Sequence, residues 1–191
     1  MAFVDVRNHE NAGGLLDRRQ LFQPAESAAD LIPKYDNLIV VGTFSKSRSM
    51  AGIRIGYALG QESLISDLHR IKYSFNPYSL DGLAVLAGKA SVEDREYFKN
   101  TTKRVIKTRE NFMKELKTLG FEVFDSKANF VFTKNDIISG EELYRQLREN
   151  NILVRYFDEN VLKNYVRISI GSDENMEYTA DVLRGIIRNR G

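Results

Sequence analysis

Lys46 stands among hydroxyls: Thr43, Ser45, Ser47 and Ser49 lie within three residues of it, and Arg54 follows eight residues later, just after Gly52. Hydroxyls and arginine forks bind phosphate. A neighbouring cation favours the free amine of a lysine, the form that makes Schiff bases. Two more arginines invite a chemical reading. Arg167 sits in Tyr165-Val-Arg-Ile-Ser-Ile-Gly171, flanked by apolar residues, where a guanidinium must find an anion or reach water. Arg155 sits in Ile152-Leu-Val-Arg-Tyr-Phe157. Taken alone, each has a plainer reading: a surface lysine, a structural arginine, and internal salt bridges to Asp or Glu.

The elements that must position these residues follow from pattern. Leu38-Ile-Val-Val41 is an apolar run of the kind that makes a buried strand, entered through an Asp36-Asn37 turn. Before it, Ser27–Ile32 makes a helical turn stopped at Pro33. After the lysine stretch, Ile53–Leu59 is a second strand ended by Gly60. Gln61–Ile71 is a helix with Leu64, Ile65 and Leu68 on one side. Pro77 breaks the chain at Asn76. Ser79 caps a helix through Ala90. A longer helix runs from about Val92 to Leu119, with a break near Asn100 and a stop at Gly120. Its Lys103, Arg104, Lys107, Arg109, Glu110, Lys114 and Glu115 read as a solvated face. Strands follow at Phe121–Phe124, Phe130–Thr133, Ile152–Tyr156 and Val166–Ile170, with helices at Gly140–Asn150 and Asp173–Arg188. That order predicts an α/β layer with a mainly antiparallel sheet over residues 100–191.

The 191 residues allow one large or two small domains. A hydrophobic share of 42% and a charged share of 28% are ordinary for a globular chain. The net charge of +2 makes no electrostatic case for nucleic acid. With no cysteine there are no disulfides and no thiolate metal sites, and His9 and His69 lie far apart, so no metal is expected. No apolar run approaches a membrane span, and the N-terminus lacks the apolar core of a signal peptide.

The string Thr43-Phe-Ser-Lys-Ser-Arg-Ser-Met-Ala-Gly-Ile-Arg-Ile-Gly-Tyr57 resembles the lysine motif of the fold-type I aminotransferases that use pyridoxal 5'-phosphate, most of all the histidinol-phosphate aminotransferase branch. Lys72-Tyr-Ser-Phe-Asn-Pro-Tyr-Ser79 resembles that family's K-x-P-F-N-V-N-S loop, with Ser74 and Pro77 where the family often has proline and valine. Ser126-Lys-Ala-Asn-Phe-Val-Phe132 matches S-x-A-N-F-V-F, and the two arginine segments match V-R-Y-F and L-R-I-S-I-G.

The resemblance implies Lys46 as the Schiff-base lysine and the catalytic acid and base. It implies Thr43, Ser45 and Arg54 on the cofactor phosphate. Arg167 would take the substrate α-carboxylate, Arg155 the phosphate end or that carboxylate, and Asn76, with Tyr78, would line the site. Asn129 is either structural or faces the cleft. The implied fold is α/β, with a partial large domain (24–99) and a complete small C-terminal domain (100–191). The implied reaction joins an amino-phosphate or amino-acid substrate to 2-oxoglutarate. A cytoplasmic homodimer is the accompanying expectation, and an aromatic amino-acid aminotransferase and a non-catalytic fragment are the alternatives.

Residues 1–23 depart from the pattern. The family has an apolar strand and a D-E-A-Y-like motif there, whose aspartate pairs with the cofactor's pyridine nitrogen. Asp17 lies at the right spacing, but Arg18, Arg19 and Gln20 follow it, and there is no tyrosine. Degenerate codons for Gly13–Phe22, read one base later, permit Val-Val-Phe-Leu-Ile-Asp-Asp-Ser-Tyr-Phe. On that reading the segment is out of frame up to about Gln23 and Asp17 matches by spacing alone. A stop codon in the shifted frame would end the idea.

Overall fold

The computed structural model describes residues 28–190. Asp17 and the Leu15-Leu16 pair lie outside the described residues. The chain divides into two compact units at Thr102/Lys103.

In the first unit a 3-10 turn, Ala28–Lys34, leads to β1 (Ile39–Thr43). Pro33 lies inside that turn rather than stopping it, and the turn ends one residue later. A one-turn helix, α1 (Phe44–Ser47), starts directly from β1, with the Thr43 side chain accepting from the Ser45 N–H at its start. A 3-10 turn at Ala51–Ile53 and then β2 (Gly56–Gly60) follow. The strand expected from Ile53 begins at Gly56 because Arg54 is left-handed, with φ 62°, which ends any extended run. β1 and β2 pair antiparallel, Thr43 opposite Gly56 and Ile39 opposite Gly60.

Helix α2 (Glu62–Phe75) runs four residues past the expected Ile71, until Asn76 caps it ahead of Pro77. Helix α3 (Gly82–Glu93) is capped by Asp81, not Ser79: the Asp81 carboxylate accepts from the Ala84 N–H at 2.7 Å. A carboxylate at that position also meets the positive end of the helix. The next break falls at Asp94, not near Asn100. Asp94 ends α3 through its N–H to Ala90 and opens α4 (Arg95–Thr118) by accepting from the Tyr97 N–H at 3.0 Å. The buried cluster of this unit is Phe44, Ile55, Ala84 and Val92.

The second unit is an antiparallel four-stranded sheet in the order β3 (Glu122–Val123), β4 (Phe130–Lys134), β6 (Tyr165–Ser169), β5 (Arg155–Tyr156). Helices α5 (Gly140–Glu149) and α6 (Asp173–Arg188) start on Ser139 and Ser172 caps. The strand expected at Ile152–Tyr156 shrinks to its last two residues. Val131, Thr133, Val166 and Ile168 face a core completed by Phe112, Leu116, Leu143, Leu147 and Leu183.

One residue of the supposed solvated face of α4 is misassigned by that reading. Arg109 is fully buried. It falls three, four and seven residues before Phe112, Met113 and Leu116, so the 3.6-residue period puts it on the core stripe.

Candidate active site

The lysine loop is built by one local fold-back. The Phe44 N–H donates to the Ile55 carbonyl at 3.1 Å, and the Thr43 hydroxyl reaches the same carbonyl at 3.3 Å. This closes the loop between β1 and β2 and places Arg54, the residue before Ile55, beside the start of α1. The Thr43 and Ser45 hydroxyls are 2.9 Å apart and hydrogen-bonded, and the Ser45 N–H donates to Thr43 Oγ1 at 3.1 Å. Lys46 follows on the same turn and is exposed. Arg54 is exposed too, its Nη1 donating to the Ala51 carbonyl at 2.7 Å. The left-handed backbone at Arg54 and at Ser49 (φ 56°) is uncommon for residues with a side chain and is kept where surrounding structure enforces it.

The loop has an aromatic floor. A Cβ on Gly42 would lie 2.2 Å from the Tyr57 ring, so only glycine leaves that ring its place. Tyr57 meets Phe44 edge-on, with ring centroids 6.1 Å apart. Burial pushes the Tyr57 hydroxyl above its ordinary pKa, and the Arg48 charge pulls the other way. Arg48 lies over the Phe98 ring at 3.9 Å and donates to the Ser91 carbonyl. Burial lowers its pKa, with Tyr57 and Asp94 opposing. Neither Arg48 nor Tyr57 stands out in the sequence as a residue that shapes the loop. Both lie in the lysine string, and the small residue at Gly42 was the signal that something large sits against it.

The second unit holds the other charged cluster. Arg155 and Arg167 are direct cross-strand partners on β5 and β6. Like charges placed opposite one another destabilise a sheet unless an anion lies near them. Neither arginine forms an ion pair or hydrogen bond with a carboxylate among the described residues, and Arg167 Nε is buried with no hydrogen-bond partner there. Each is held by an aromatic ring instead: Arg167 over Phe130 and Arg155 over Phe157, both at 5.2 Å.

The Phe157 ring belongs to a row that is not apparent from the sequence motifs. Phe132 and Tyr165 stack at 4.9 Å, Phe124 packs on both, and Phe157 meets Phe132 edge-on. The period-two alternation of Phe130-Val-Phe-Thr-Lys134 and Tyr165-Val-Arg-Ile-Ser169 is what could have disclosed it.

Asn76 is an exposed end-cap of α2 and Tyr78 is 91% exposed. Asn129 contributes its backbone carbonyl, which accepts from the Ile170 N–H at 2.9 Å. The structure thus brings Thr43, Ser45 and Lys46 together in one unit, and Arg155 and Arg167 together in the other.

The sequence profile described as aminotransferase class I and II matches residues 16–183. The chain belongs to the class I and II aminotransferase family. Among relatives, histidinol-phosphate aminotransferase of Brachyspira hyodysenteriae is 50% identical over 168 residues, covering 88% of this chain and 48% of the relative. Histidinol-phosphate aminotransferase of Clostridium botulinum (strain Okra) is 46% identical over 182 residues, covering 95% and 51%.

Solved aminotransferases share the fold. The histidinol-phosphate aminotransferase of Clostridium acetobutylicum superposes with a TM-score of 0.80 at 28% identity, over 90% of this chain and 52% of that one. The Sinorhizobium meliloti enzyme, solved in complex with pyridoxal-5'-phosphate, does so with a TM-score of 0.75 at 25% identity, over 88% and 46%. The chain spans about half the length of the curated relatives it matches. Its fold matches part of the fold-type I aminotransferase fold, with mixed helix and sheet. No helix among the described residues is long and apolar enough to cross a membrane.

Proposed function

We propose that this chain carries the lysine and arginine machinery of a pyridoxal phosphate-dependent transaminase that moves the amino group of histidinol phosphate to 2-oxoglutarate, giving imidazole acetol phosphate and glutamate. The observation that carries this reading is the register-paired Arg155 and Arg167, two adjacent cations with no carboxylate partner among the described residues, in a chain that also holds the Lys46 loop.

The residues present suit the cofactor. Thr43 and Ser45 hydroxyls and the Arg54 guanidinium are donors for a phosphate, and the Lys46 amine stands on the same turn. When bound, pyridoxal phosphate supplies a covalent partner for an amine and an electron sink for the bond broken at the substrate Cα. Lys46 would hold the group and then, as general base and acid, move the proton from the substrate Cα to the cofactor's aldehyde-derived carbon. Arg167 would orient a carboxylate by a bidentate fork, and must serve glutamate and 2-oxoglutarate alike. Arg155 would help bind the phosphate end of histidinol phosphate or the carboxylate taken by Arg167. Asn76 would line the site.

Asp17 is the spacing match for the pyridine-nitrogen partner. A large-domain remnant at 24–99, a small domain at 100–191, a homodimer and a cytoplasmic location go with this reading. Aromatic amino-acid transamination is the nearest competing chemistry.

A second reading, a folded fragment without catalysis, draws on the half-length coverage and on the small buried cluster around the lysine loop. Preorganised electrostatics supply most of an enzyme's acceleration, and on this reading a lysine loop resting on four buried residues binds the cofactor weakly and turns over little. The test is half-transamination of pyridoxal phosphate by histidinol phosphate, followed by absorbance. The expected outcome is a weak change in cofactor absorbance, abolished by Lys46→Ala. A change that persists in Lys46→Ala overturns the lysine assignment. Full conversion to pyridoxamine phosphate overturns the fragment reading.

A further inference from the structure

Arg109 is the one fully buried charged side chain among the described residues, and the aminotransferase reading gives it no task. Its Nη1 donates to the Ala128 carbonyl at 3.0 Å, while Nε and Nη2 have no hydrogen-bond partner among the described residues. A buried guanidinium so incompletely bonded is costlier than a buried apolar side chain of similar length. Stability is therefore a poor account of what it contributes. Its single bond ends in the middle of a tight segment. The Ser126 hydroxyl donates to the Phe130 carbonyl at 2.6 Å and accepts from the Ala128 N–H at 3.2 Å. The Asn129 carbonyl takes the Ile170 N–H at 2.9 Å. Phe130, two residues after Ala128, carries the ring under the Arg167 guanidinium.

We infer that Arg109 is a positioning residue for Arg167. It pins the Ala128 carbonyl, which fixes the 126–130 segment, which sets the Phe130 ring and hence the direction of the Arg167 fork. A planar guanidinium rooted in a long helix is a stiffer anchor than a lysine, whose ammonium sits on a flexible stem. The inference rests on the reading of Arg167 as a carboxylate ligand, and the test separates the two.

The test uses the full chain and 2-oxoglutarate as the probe, with affinity from calorimetry, folding from thermal melts, and the Arg167 Nε–H resonance from NMR. If Arg167→Ala binds 2-oxoglutarate as the wild type does, the reading of Arg167 itself falls. Given an Arg167-dependent affinity, Arg109→Met should keep or raise the melting temperature and weaken binding about tenfold, with the Arg167 Nε–H signal shifted or broadened. Arg109→Lys should recover part of the affinity. A well-folded Arg109→Met with wild-type affinity and an unmoved Arg167 signal overturns the proposal. Should Arg109→Met fail to fold, Arg109→Lys decides: an affinity and Arg167 signal identical to wild type overturn it. One observation needs no variant. Magnetisation transfer between the Arg109 guanidinium protons and the Ala128–Asn129 backbone is expected in the wild-type chain, and its absence is equally fatal.

Discussion

The two units differ in what holds them together. Among the described residues the second has fourteen buried apolar residues in one cluster, drawn from its helices and strands, while the lysine-bearing unit has a cluster of four. The first unit also leaves more large apolar side chains in solvent: Leu83 is 79% exposed, Leu86 65% and Phe75 90%. Burying one such side chain is worth roughly 1.5–3 kcal/mol. Stability is therefore concentrated away from Lys46. The loop geometry there depends on a few local bonds around Thr43, Phe44 and Ile55, and the arginine pair rests on a well-packed sheet.

Core truncation should give the largest contrast. Leu183→Ala in the second unit removes a fully buried side chain and should cost about 2–5 kcal/mol in urea unfolding. Leu86→Ala in the first should change stability by no more than about 0.5 kcal/mol. Equal losses at the two sites would break the comparison.

Two glycines sharpen it at intermediate cost. A Cβ on Gly140 would meet backbone, the Lys163 carbonyl at 2.6 Å and Asn164 at 2.7 Å, with no side chain to give way. Gly140→Ala should lower stability by about 1–3 kcal/mol, read by thermal melts. At Gly42 the obstacle is the Tyr57 ring, which can swing out. Gly42→Ala should cost less, and its signature is different. With the ring displaced into solvent, the Tyr57 hydroxyl loses the burial that raises it and should titrate closer to 10 in alkaline absorbance scans. An unmoved Tyr57 titration would show that the floor of the loop is deeper than the packing implies.

The smallest effect is acidic. The hydrogen bond from Arg145, with Gln146 aiding, holds the Glu142 carboxyl down to about 2 against an ordinary 4.5. The folded state thus favours the ionised form. Its contribution is present above pH 4.5 and fades as pH falls from there through about 2. Glu174, lowered mainly by its bond to Ser172, acts in the same direction. Glu142→Gln should flatten the acid limb of a stability-against-pH curve, and an unchanged limb would remove Glu142 from its causes. Both carboxylates are in the second unit, so acid should loosen the unit with the four-stranded sheet through them.

Sequence alone was enough for whatever depends on neighbours along the chain. The lysine string, the Gly140 and Asp173 starts of α5 and α6 and the presence of four strands in the second unit are all local signals, governed by caps and by apolar runs along the chain. Local competition explains the misplaced boundaries: Asp81 displaced Ser79 as a cap, and Asp94 both closed one helix and opened the next. Tertiary structure decided the rest. Arg155 and Arg167 are twelve residues apart in sequence, and only strand register sets them side by side. Arg109 looked like one more charge on a charged helix. Its burial depended on which stripe of that helix met the sheet, and its bond to Ala128 depended on a loop nineteen residues away. A pattern of residue types carries the period of an element, while the pairing of its faces is settled only when the chain packs.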